Sequence, residues 1–312
     1  MSSTAIPTPA VTAVRARPRR PLITPARIGI YAFLVSTSAF FLLPLYVMVV
    51  TSLKTAPEVR QAVMFAWPAS PQFGNWVEAW STACIALACE GIQGGFMNSV
   101  RLVVPATVLS VFLGALNGYA LSFWRSKWGN FLFGIMLLGA FVPFQVMIYP
   151  LVAWFRLGGF YNTYWAILLV HCIFGMPVLT LLFRNYYVAV PAELFKAARI
   201  DGGGFWRIFF QLMLPMATPM IIVAVILQVT GIWNDFLFGL IFAGKDNQPM
   251  TVQLNNLVNT TFGERRYHID MAATILTSLV PLLVYFFSGR WFVRGIAAGA
   301  ASPENMSSRM RR

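Results

Sequence analysis

Residues 191–215 read PAELFKAARIDGGGFWRIFFQLMLP and separate two long apolar runs. We call this stretch the elbow. In its first half, Leu194, Ala197 and Ala198 repeat at helical spacing and predict a short helix with a small apolar face. The three glycines at 202–204 must end that helix. The sequence therefore predicts a helix followed by a glycine turn.

The flanks of the turn complete a helix–turn–helix element. Pro191 suits the first turn of a helix, and Glu193 favours its positive N-terminal end. Asp201 is expected to cap a second helix, since its side chain can accept a hydrogen bond from free backbone N–H groups. That second helix begins with aromatic residues and ends at a proline that opens the next apolar run: Phe205, Trp206, Phe209, Phe210 and Pro215. An element of this kind lies parallel to the membrane and can dock its apolar face in a partner's groove. The alternative is an ordinary amphipathic helical hairpin on the membrane surface.

The composition outside the elbow indicates a membrane protein. The chain has 312 residues, of which 58% are hydrophobic and 11% charged, whereas soluble domains carry about a quarter charged residues. A bilayer core needs roughly 20 apolar residues per helix. Six runs meet this length, and we predict an all-α, polytopic protein with about six transmembrane helices at 28–51, 99–123, 131–155, 162–183, 216–243 and 271–292.

The distribution of basic residues predicts the orientation. With both termini in the cytoplasm, sixteen basic residues fall inside: Arg15, Arg17, Arg19, Arg20, Arg27, Arg125, Lys127, Arg184, Lys196, Arg199, Arg207, Arg290, Arg294, Arg309, Arg311 and Arg312. Six fall outside: Lys54, Arg60, Arg156, Lys245, Arg265 and Arg266. An excess of Lys and Arg marks the cytoplasmic side, so the elbow is predicted to face the cytoplasm.

Several other functions are disfavoured. The net charge of +13 could suggest nucleic acid, but the basic residues are scattered between apolar runs, so no nucleic-acid partner is predicted. No GxxxxGK[ST] sequence occurs, which excludes ATP binding by a P-loop. The three cysteines form no metal or redox pattern, and we predict no metal and no cofactor. Cys84 and Cys89 either form a disulfide or pack as two small side chains, and Cys172 is expected to pack within a span.

The elbow resembles the EAA motif of ABC-importer permeases, in which Glu-Ala-Ala is followed by three residues, Gly, nine residues and Ile-x-Leu-Pro. Here three residues separate Ala197-Ala198 from Gly202, and nine residues separate Gly202 from Leu212-Met213-Leu214-Pro215. Pro191-x-Glu193-Leu194, Asp201-Gly202, Asn98-Ser99, Trp233-Asn234-Asp235-Phe236 and Arg290-Trp291-Phe292-Val293-Arg294-Gly295 are similar to the carbohydrate-uptake, maltose-transporter permease-like branch. The resemblance covers about residues 28–300.

The resemblance implies a transport subunit without a catalytic site. It implies a second permease subunit, two ATPase subunits that hydrolyse ATP, and an extracytoplasmic sugar-binding protein, all at a bacterial inner membrane. It assigns ATPase coupling to Glu193, Lys196, Ala197, Ala198, Asp201, Gly202, Leu214 and Pro215. Lys196 departs from the motif, because it reverses the charge of the motif's glutamate. Glu193, three residues earlier on the same helix face, is the expected substitute.

Polar residues inside the spans are candidates for a substrate path, because buried polar groups in lipid often line one. The candidates are Asn117, Gln145, Asn234 and Asp235, with helix–helix hydrogen bonding as the competing role of Asp235. His171 is expected to be a satisfied packing residue. Gly114 and Gly118 form a GxxxG pair, which indicates a packing face. Pro143 and Pro150 are expected to kink the third span, as a gate or as a static bend.

The domain organisation and substrate follow from the same reading. We expect a disordered cytoplasmic tail at 1–27, a permease domain at 28–300 with its core at 95–292, and a cytoplasmic tail at 301–312. The substrate is expected to be a mono- or oligosaccharide, with glucose or mannose favoured. The alternative is an ion-gradient-driven secondary transporter, which would be expected to show inverted repeats and charged midplane sites. The sequence has no convincing repeat and one deep acidic residue. An intramembrane enzyme is disfavoured, because the spans hold no nucleophile–base pair.

Overall fold

The computed structural model describes residues 24–61, 63–85, 88–123, 127–259 and 265–300, with the backbone alone at 127 and 290–300. Both predicted tails lie outside these residues apart from 24–27. Within the described ranges the regular structure is helical, and the one β feature is an isolated bridge between Ile85 and Ala88. The all-α prediction is confirmed.

The helices, in chain order, are α1 Pro25–Ser52, α2 Ala56–Arg60, α3 Gly74–Ser81, α4 Gln93–Phe123, α5 Lys127–Phe141, α6 Phe144–Leu157, α7 Tyr164–Val188, α8 Ala192–Ile200, α9 Phe205–Ile208, a π-helical turn Phe209–Met213, α10 Leu214–Met216, α11 Thr218–Trp233, α12 Leu237–Phe242, α13 Met250–Asn259 and α14 Tyr267–Ala300.

Two compact units divide the chain between Val47 and Met48. In the first unit, the described structure is the N-terminal part of α1, whose Phe33, Phe40 and Phe41 are exposed. Such an apolar helix surface is stable where lipid covers it. The second unit contains all the helices that follow.

The longest helices of the described residues have the length and hydropathy of membrane spans. In the described residues, four helices are long and apolar enough to cross a bilayer, α1, α4, α7 and the Tyr267–Gly289 part of α14. Two bent helix pairs pass the same test together, so the described residues hold up to six spans. The prediction of about six is confirmed when each bent pair counts as one span.

The predicted third span, 131–155, is wrong as a single helix. It consists of α5 and α6, whose axes meet at 107°. Pro143 precedes α6 in an extended conformation, with φ −54° and ψ 121°. Proline lacks an N–H group and disfavours helical geometry in the residue before it, so the break falls at Val142 and Pro143. Pro150 lies inside α6.

The predicted fifth span, 216–243, is also wrong as a single helix. A 77° bend at Ala217 separates Phe205–Met216 from α11, and Pro219 occupies the first turn of α11. The helix then ends at Trp233. Three residues, 234–236, interrupt it before α12.

Close packing of α4 against α7 forms the centre of the second unit. A side chain on Gly114 would place its Cβ 2.6 Å from Cβ of Leu179, and one on Gly118 would lie 2.7 Å from Cβ of Phe183. Both separations are below any real carbon–carbon contact, so only glycine permits this approach. The prediction of a GxxxG packing face is confirmed.

The segment between α1 and α4 is folded and tied to the bundle. Lys54 is buried, and its Nζ donates to the Val63 carbonyl at 2.7 Å. Trp76 Nε1 donates to Ser52 Oγ at 3.1 Å. Arg266, next to the start of α14, forms an ion pair with Glu78 of α3.

The cysteines resolve into one bonded pair and one buried thiol. Cys84 and Cys89 form a disulfide across the short hairpin that leads into α4. This is the first of the two alternatives left open by the sequence. Cys172 is buried within α7, as expected of a packing residue.

Candidate functional site

The elbow begins with α8, which presents most of its surface outward. No residue of α8 is buried. Glu193, Lys196 and Ala197 are exposed, and Ala198 is half-buried. Leu194 and Ile200 add exposed apolar surface. Small and apolar side chains on an exposed helix face allow a second protein to approach closely, which agrees with the predicted docking element.

Two glycines make the turn after α8 possible. Gly202 has a φ of +79°, which is the left-handed conformation that glycine adopts at helix C-termini. Gly203 N–H donates to the Ala198 carbonyl at 2.9 Å. A Cβ on Gly203 would lie 2.6 Å from that same oxygen. Gly202 is therefore required for its backbone angle and Gly203 for its close approach.

The predicted role of Asp201 is wrong. Asp201 is the C-terminal cap of α8, where its backbone N–H donates to the Ala197 carbonyl. The N-cap of α9 is Gly204, which makes no side-chain capping bond. The turn places two further residues between Asp201 and the N-cap of α9. Asp201 and Gly202 are both exposed at the turn.

A cluster of aromatic rings anchors the elbow to α4, and we call it the aromatic cluster. Tyr119 is fully buried, and its hydroxyl donates to the Phe205 carbonyl at 3.2 Å. Its ring lies 4.8 Å from the ring of Phe205 and 5.4 Å from that of Phe209. Phe123 stacks on Phe195 of α8 at 4.3 Å. Rings at these separations attract one another beyond their buried area, so both halves of the elbow are tied to one long helix.

The end of the elbow turns into the bundle through the π-helical turn and α10. Leu214 is half-buried and Pro215 is exposed. Tyr186 of α7 donates its hydroxyl to the Met216 carbonyl at 2.5 Å. The 77° bend follows at Ala217. The elbow is thus held by α4 at its start and by α7 at its end.

A second site is an open pocket of about 270 Å³ between α6, α7, α11 and α12, lined in part by polar residues. We call it the polar cavity. Its lining combines polar side chains, aromatic rings, glycines and one isoleucine: His171, Gln228, Asn234, Asp235, Phe144, Phe174, Phe238, Gly175, Gly231 and Ile232. Mixed aromatic and polar linings are typical of small-molecule sites.

Asp235 caps a helix and faces the polar cavity. Its Oδ1 accepts from Phe238 N at 3.2 Å, and its Oδ2 accepts from Gly239 N at 2.9 Å. These bonds satisfy two N–H groups at the start of α12. Asp235 therefore interrupts the predicted span, and a structural role is part of its function. Asn234, next to it, is exposed.

His171 approaches Asp235 from α7. Its Nε2 lies 3.7 Å from Asp235 Oδ2, and the side chain is 6% exposed. Within the described residues, Nε2 has no hydrogen-bond partner. The expectation of a satisfied packing residue is therefore wrong, because packing leaves this nitrogen unpaired.

Gln228 is the polar-cavity residue that the sequence reading missed. It is buried on α11, and its Nε2 donates to Ser110 Oγ at 3.1 Å. Gly175 makes room for it, because a Cβ there would lie 2.2 Å from Gln228 Nε2. The sequence did carry a signal for Gln228, because an amide in the middle of an apolar span is costly unless it is paired.

The other two candidates on the substrate path do not join this group. Asn117 lies half-buried on α4, and Gln145 is exposed in the first turn of α6. Neither lines the polar cavity, although Phe144, the neighbour of Gln145, does. The structure brings Asn234 and Asp235 together with His171 and Gln228.

Comparison with known proteins gives a consistent result. Residues 106–298 match the family described as binding-protein-dependent transport system inner membrane component. The chain is 30% identical to the xylose/arabinose import permease protein XacI of Haloferax volcanii, over 88% of this chain and 93% of the relative. It is 33% identical to the probable ABC transporter permease protein PH1216 of Pyrococcus horikoshii, over 89% and 98%. The glucose import system permease protein GlcU of Saccharolobus solfataricus is 28% identical, over 86% and 92%.

The fold is also found among solved structures. A chain of a bacterial ABC transporter involved in the import of the acidic polysaccharide alginate aligns with a TM-score of 0.71 and 19% identity. The alignment covers 88% of this chain and 100% of that chain. At this identity the likeness concerns the fold alone.

Proposed function

The chain belongs to the family of binding-protein-dependent transport system inner membrane components, and from that premise we propose that it is the permease subunit of an ATP-driven sugar importer. The observation that carries this proposal is the anchored elbow. Its exposed α8 face is available to another protein, while Tyr119 and Phe195 bind its other side to the bundle. A push on α8 is therefore transmitted to α4 as a rigid-body motion.

The partners follow from this role. Two ATPase subunits bind beneath the two permeases and hydrolyse ATP, and one of them docks at this elbow. A second permease completes the path, and an extracytoplasmic binding protein delivers the solute. This chain carries out no bond chemistry. The coupling residues are Glu193, Lys196, Ala197, Ala198, Asp201, Gly202, Leu214 and Pro215. Glu193 supplies the acidic contact that Lys196 does not.

We assign the termini and the elbow to the cytoplasm, on the sixteen-to-six bias of basic residues described above. Residues 28–300 form the permease domain, with its core at 95–292 and tails at 1–27 and 301–312. Membership in a binding-protein-dependent family disfavours an ion-gradient-driven carrier.

The substrate class is a mono- or oligosaccharide. Relatives are named for the import of xylose and arabinose, of glucose, and for α-glucoside transport. Glucose and mannose are the first sugars to test. Asn234 and Asp235 are the residues we place on the path, with Asn117 and Gln145 as further candidates on α4 and α6.

The test compares two glycines of the same backbone geometry, Gly202 after α8 and Gly159 between α6 and α7. Gly202 has φ +79° and Gly159 has φ +72°, and a Cβ on either meets nothing within 4 Å. Gly202→Trp is expected to abolish sugar uptake and ATPase retention on affinity purification, because an indole at the turn blocks docking. Gly159→Trp imposes the same backbone strain away from the elbow. This variant is expected to keep both sugar uptake and ATPase retention.

Membrane abundance of both variants is measured by immunoblot as a control for insertion. Unchanged uptake and unchanged ATPase retention in Gly202→Trp would contradict the coupling role of the elbow. Equal loss in Gly159→Trp would assign the effect to backbone strain.

A further inference from the structure

We propose that residues 53–77, which run from the end of α1 into α3, insert their exposed apolar side chains into the headgroup region of the extracytoplasmic leaflet. We call these residues the outer segment. Its partner is the phospholipid surface itself, and its role is to anchor the permease beside α1. The inference goes beyond the proposed function, with which it shares only the assignment of the termini to the cytoplasm.

The outer segment is folded with its polarity reversed. Lys54 is 4% exposed, and its Nζ donates to the Val63 carbonyl at 2.7 Å. The large apolar side chains of the turn that follows are between 55% and 62% exposed: Val63, Met64, Phe65 and Trp67. Lysine is almost never fully buried unless it is paired, and apolar surface of this kind marks a contact with another protein or with a membrane.

The start of α3 adds to the exposed apolar surface. Phe73 and Val77 are 70% and 66% exposed, and side chains four residues apart share one face of a helix. Asn75 Nδ2 donates to the carbonyls of Ser52 and Lys54, at 2.8 and 2.9 Å. The turn at 63–67 and the start of α3 are therefore both bonded to the end of α1.

Further hydrogen bonds hold the outer segment in this arrangement. Glu58 Oε1 accepts from the Ala69 N–H at 2.9 Å. The Gln72 N–H donates to the Leu53 carbonyl at 2.8 Å. An ordered scaffold thus presents the apolar side chains outward, and they are not free to turn inward without breaking these bonds.

The length of α1 sets the level of this scaffold in the membrane. Its 28 residues extend about 42 Å at a rise of about 1.5 Å per residue. A bilayer with its headgroups is about 40–45 Å thick, so a helix that begins among the cytoplasmic headgroups ends among the outer ones. Lys54 follows two residues after α1 and holds Val63 at that level.

This level favours lipid over a soluble protein as the partner. A binding protein docks in the water above the headgroups, whereas these side chains are held among the headgroups themselves. The sequence of 63–67, VMFAW, contains no charged residue. It ends in Trp67, and tryptophan is enriched at membrane–water interfaces because its amphipathic ring lies at headgroup level.

The experiment places a fluorophore at single introduced cysteines of the full-length chain, purified with its partner subunits. Cys84 and Cys89 are bonded to each other and Cys172 is buried, so bimane labels the introduced thiol of this chain. The complex is placed in nanodiscs of phosphatidylethanolamine and phosphatidylglycerol, in which brominated phosphatidylcholine is substituted stepwise to quench bimane on contact. Wild-type complex treated in the same way gives the background from the partner subunits.

Met64→Cys and Trp67→Cys are the test variants, measured without the binding protein. Both labels are expected to lose most of their fluorescence, because lipid surrounds them. Bromines near the headgroup are expected to quench more than bromines near the ends of the acyl chains. Sugar-stimulated ATPase activity is measured for each variant as a check of assembly, and if one variant does not assemble, the other decides.

Two further positions are matched controls. Phe41 is 70% exposed within α1, and the label of Phe41→Cys is expected to be quenched more by bromines deep in the bilayer. Asn255 is exposed on α13, in the predicted extracytoplasmic connection before α14. The label of Asn255→Cys is expected to keep its fluorescence, because water surrounds it.

Fluorescence of the Met64 and Trp67 labels that stays at the level of the Asn255 label would overturn the inference. If the cognate binding protein then changes that fluorescence, the surface belongs to that protein, and if it does not, the surface lies in water or against another subunit. A wild-type complex that transports no sugar would overturn the proposed function and leave this inference standing.

Discussion

The elbow and the polar cavity both combine polar and aromatic side chains, but they place them differently. In the elbow, six of the eight predicted coupling residues are exposed, and the aromatic rings behind them pack around Tyr119. In the polar cavity, His171 and Gln228 are buried, Asp235 is half-buried and Asn234 is exposed, and the three aromatic rings pack against one another at the side of the opening. A surface that meets a protein needs a rigid back and an open face, whereas a surface that meets a small molecule needs preorganised polar groups around a void.

The two regions also differ in how the chain assembles them. The elbow comes from one continuous stretch, 191–215, anchored by Tyr119 and Phe123. The polar cavity draws on α6, α7, α11, the break that follows α11, and α12. Variants of the elbow should therefore affect coupling to ATPase, and variants of the polar cavity should affect solute recognition.

Removal of the central ring of the aromatic cluster should have the largest effect. Tyr119→Ala leaves a buried void, and truncation of a large aromatic residue costs about 3–5 kcal/mol. We expect a lowered melting temperature of the purified complex and ATPase activity that no longer responds to sugar. Tyr119→Phe loses only the bond to the Phe205 carbonyl and should cost about 1 kcal/mol.

Tyr149→Ala is the control for Tyr119→Ala, because Tyr149 is 83% exposed. If Tyr119→Ala kept full sugar-stimulated ATPase activity, the aromatic cluster would not transmit the motion of the elbow.

A methyl group beside Gln228 should have the next largest effect, and on recognition rather than coupling. Gly175→Ala would place a Cβ 2.2 Å from Gln228 Nε2. The amide must move away from Ser110, and overpacking of this kind costs about 1–3 kcal/mol. We expect the apparent KM for sugar to rise while the maximal ATPase rate is retained. A kinetic series of uptake against sugar concentration measures both.

Gly231→Ala is matched to that change. Gly231 lines the same cavity, but a Cβ there meets nothing within 4 Å. An equal rise in KM for both variants would contradict the assignment of the effect to Gln228.

The exposed charge at the motif position should have a smaller effect. Lys196→Glu restores the acidic residue of the EAA pattern on an exposed face, where a single ion pair contributes about 0–1 kcal/mol. We expect a change of less than tenfold in ATPase affinity that weakens as salt is added. Titration of purified ATPase onto the permease at two ionic strengths measures it, and a salt-independent change would exclude an electrostatic contact.

The smallest expected effect is on stability, at Glu58, a carboxylate outside both regions. Backbone N–H groups of Thr55 and Ala69 donate to Glu58 and hold its pKa below the ordinary value. A lowered pKa stabilises the fold at pH above the ordinary value, and this contribution is lost as pH falls through the folded pKa. The melting temperature of Glu58→Gln should lie slightly below wild type at neutral pH and converge with it in acid. Uptake should not change, and a difference that grows in acid would contradict the sign.

The sequence predicted the elbow well because its determinants are local. Helical spacing at Leu194 and Ala197 and the glycines at 202–204 specify a helix and its end without distant contacts. Asp201 was misassigned because capping depends on where α9 starts, and Gly204 takes that place. The anchoring ring, Tyr119, was missed because its 86-residue separation from Phe205 leaves no trace in local pattern.

The polar cavity was predicted in part for the same physical reason. Asn234 and Asp235 interrupt an apolar run and were visible as polar residues. The break in the helix at these residues was not predicted, because hydropathy reports composition and not backbone direction. The approach of His171 to Asp235 depends on how α7 packs beside α11, and on the bend at Ala217 that sets where α11 runs. Asn117 and Gln145 have suitable chemistry but lie on faces that the packing directs elsewhere.

The Cys84–Cys89 disulfide indicates which side of the membrane its segment faces. Such bonds persist where glutathione and thioredoxin do not reduce them, and the hairpin leads into the first residues of α4. The pair is thus a built-in marker of sidedness: in intact cells, a reductant and a maleimide that cannot cross the bilayer should tag these two thiols and spare Cys172.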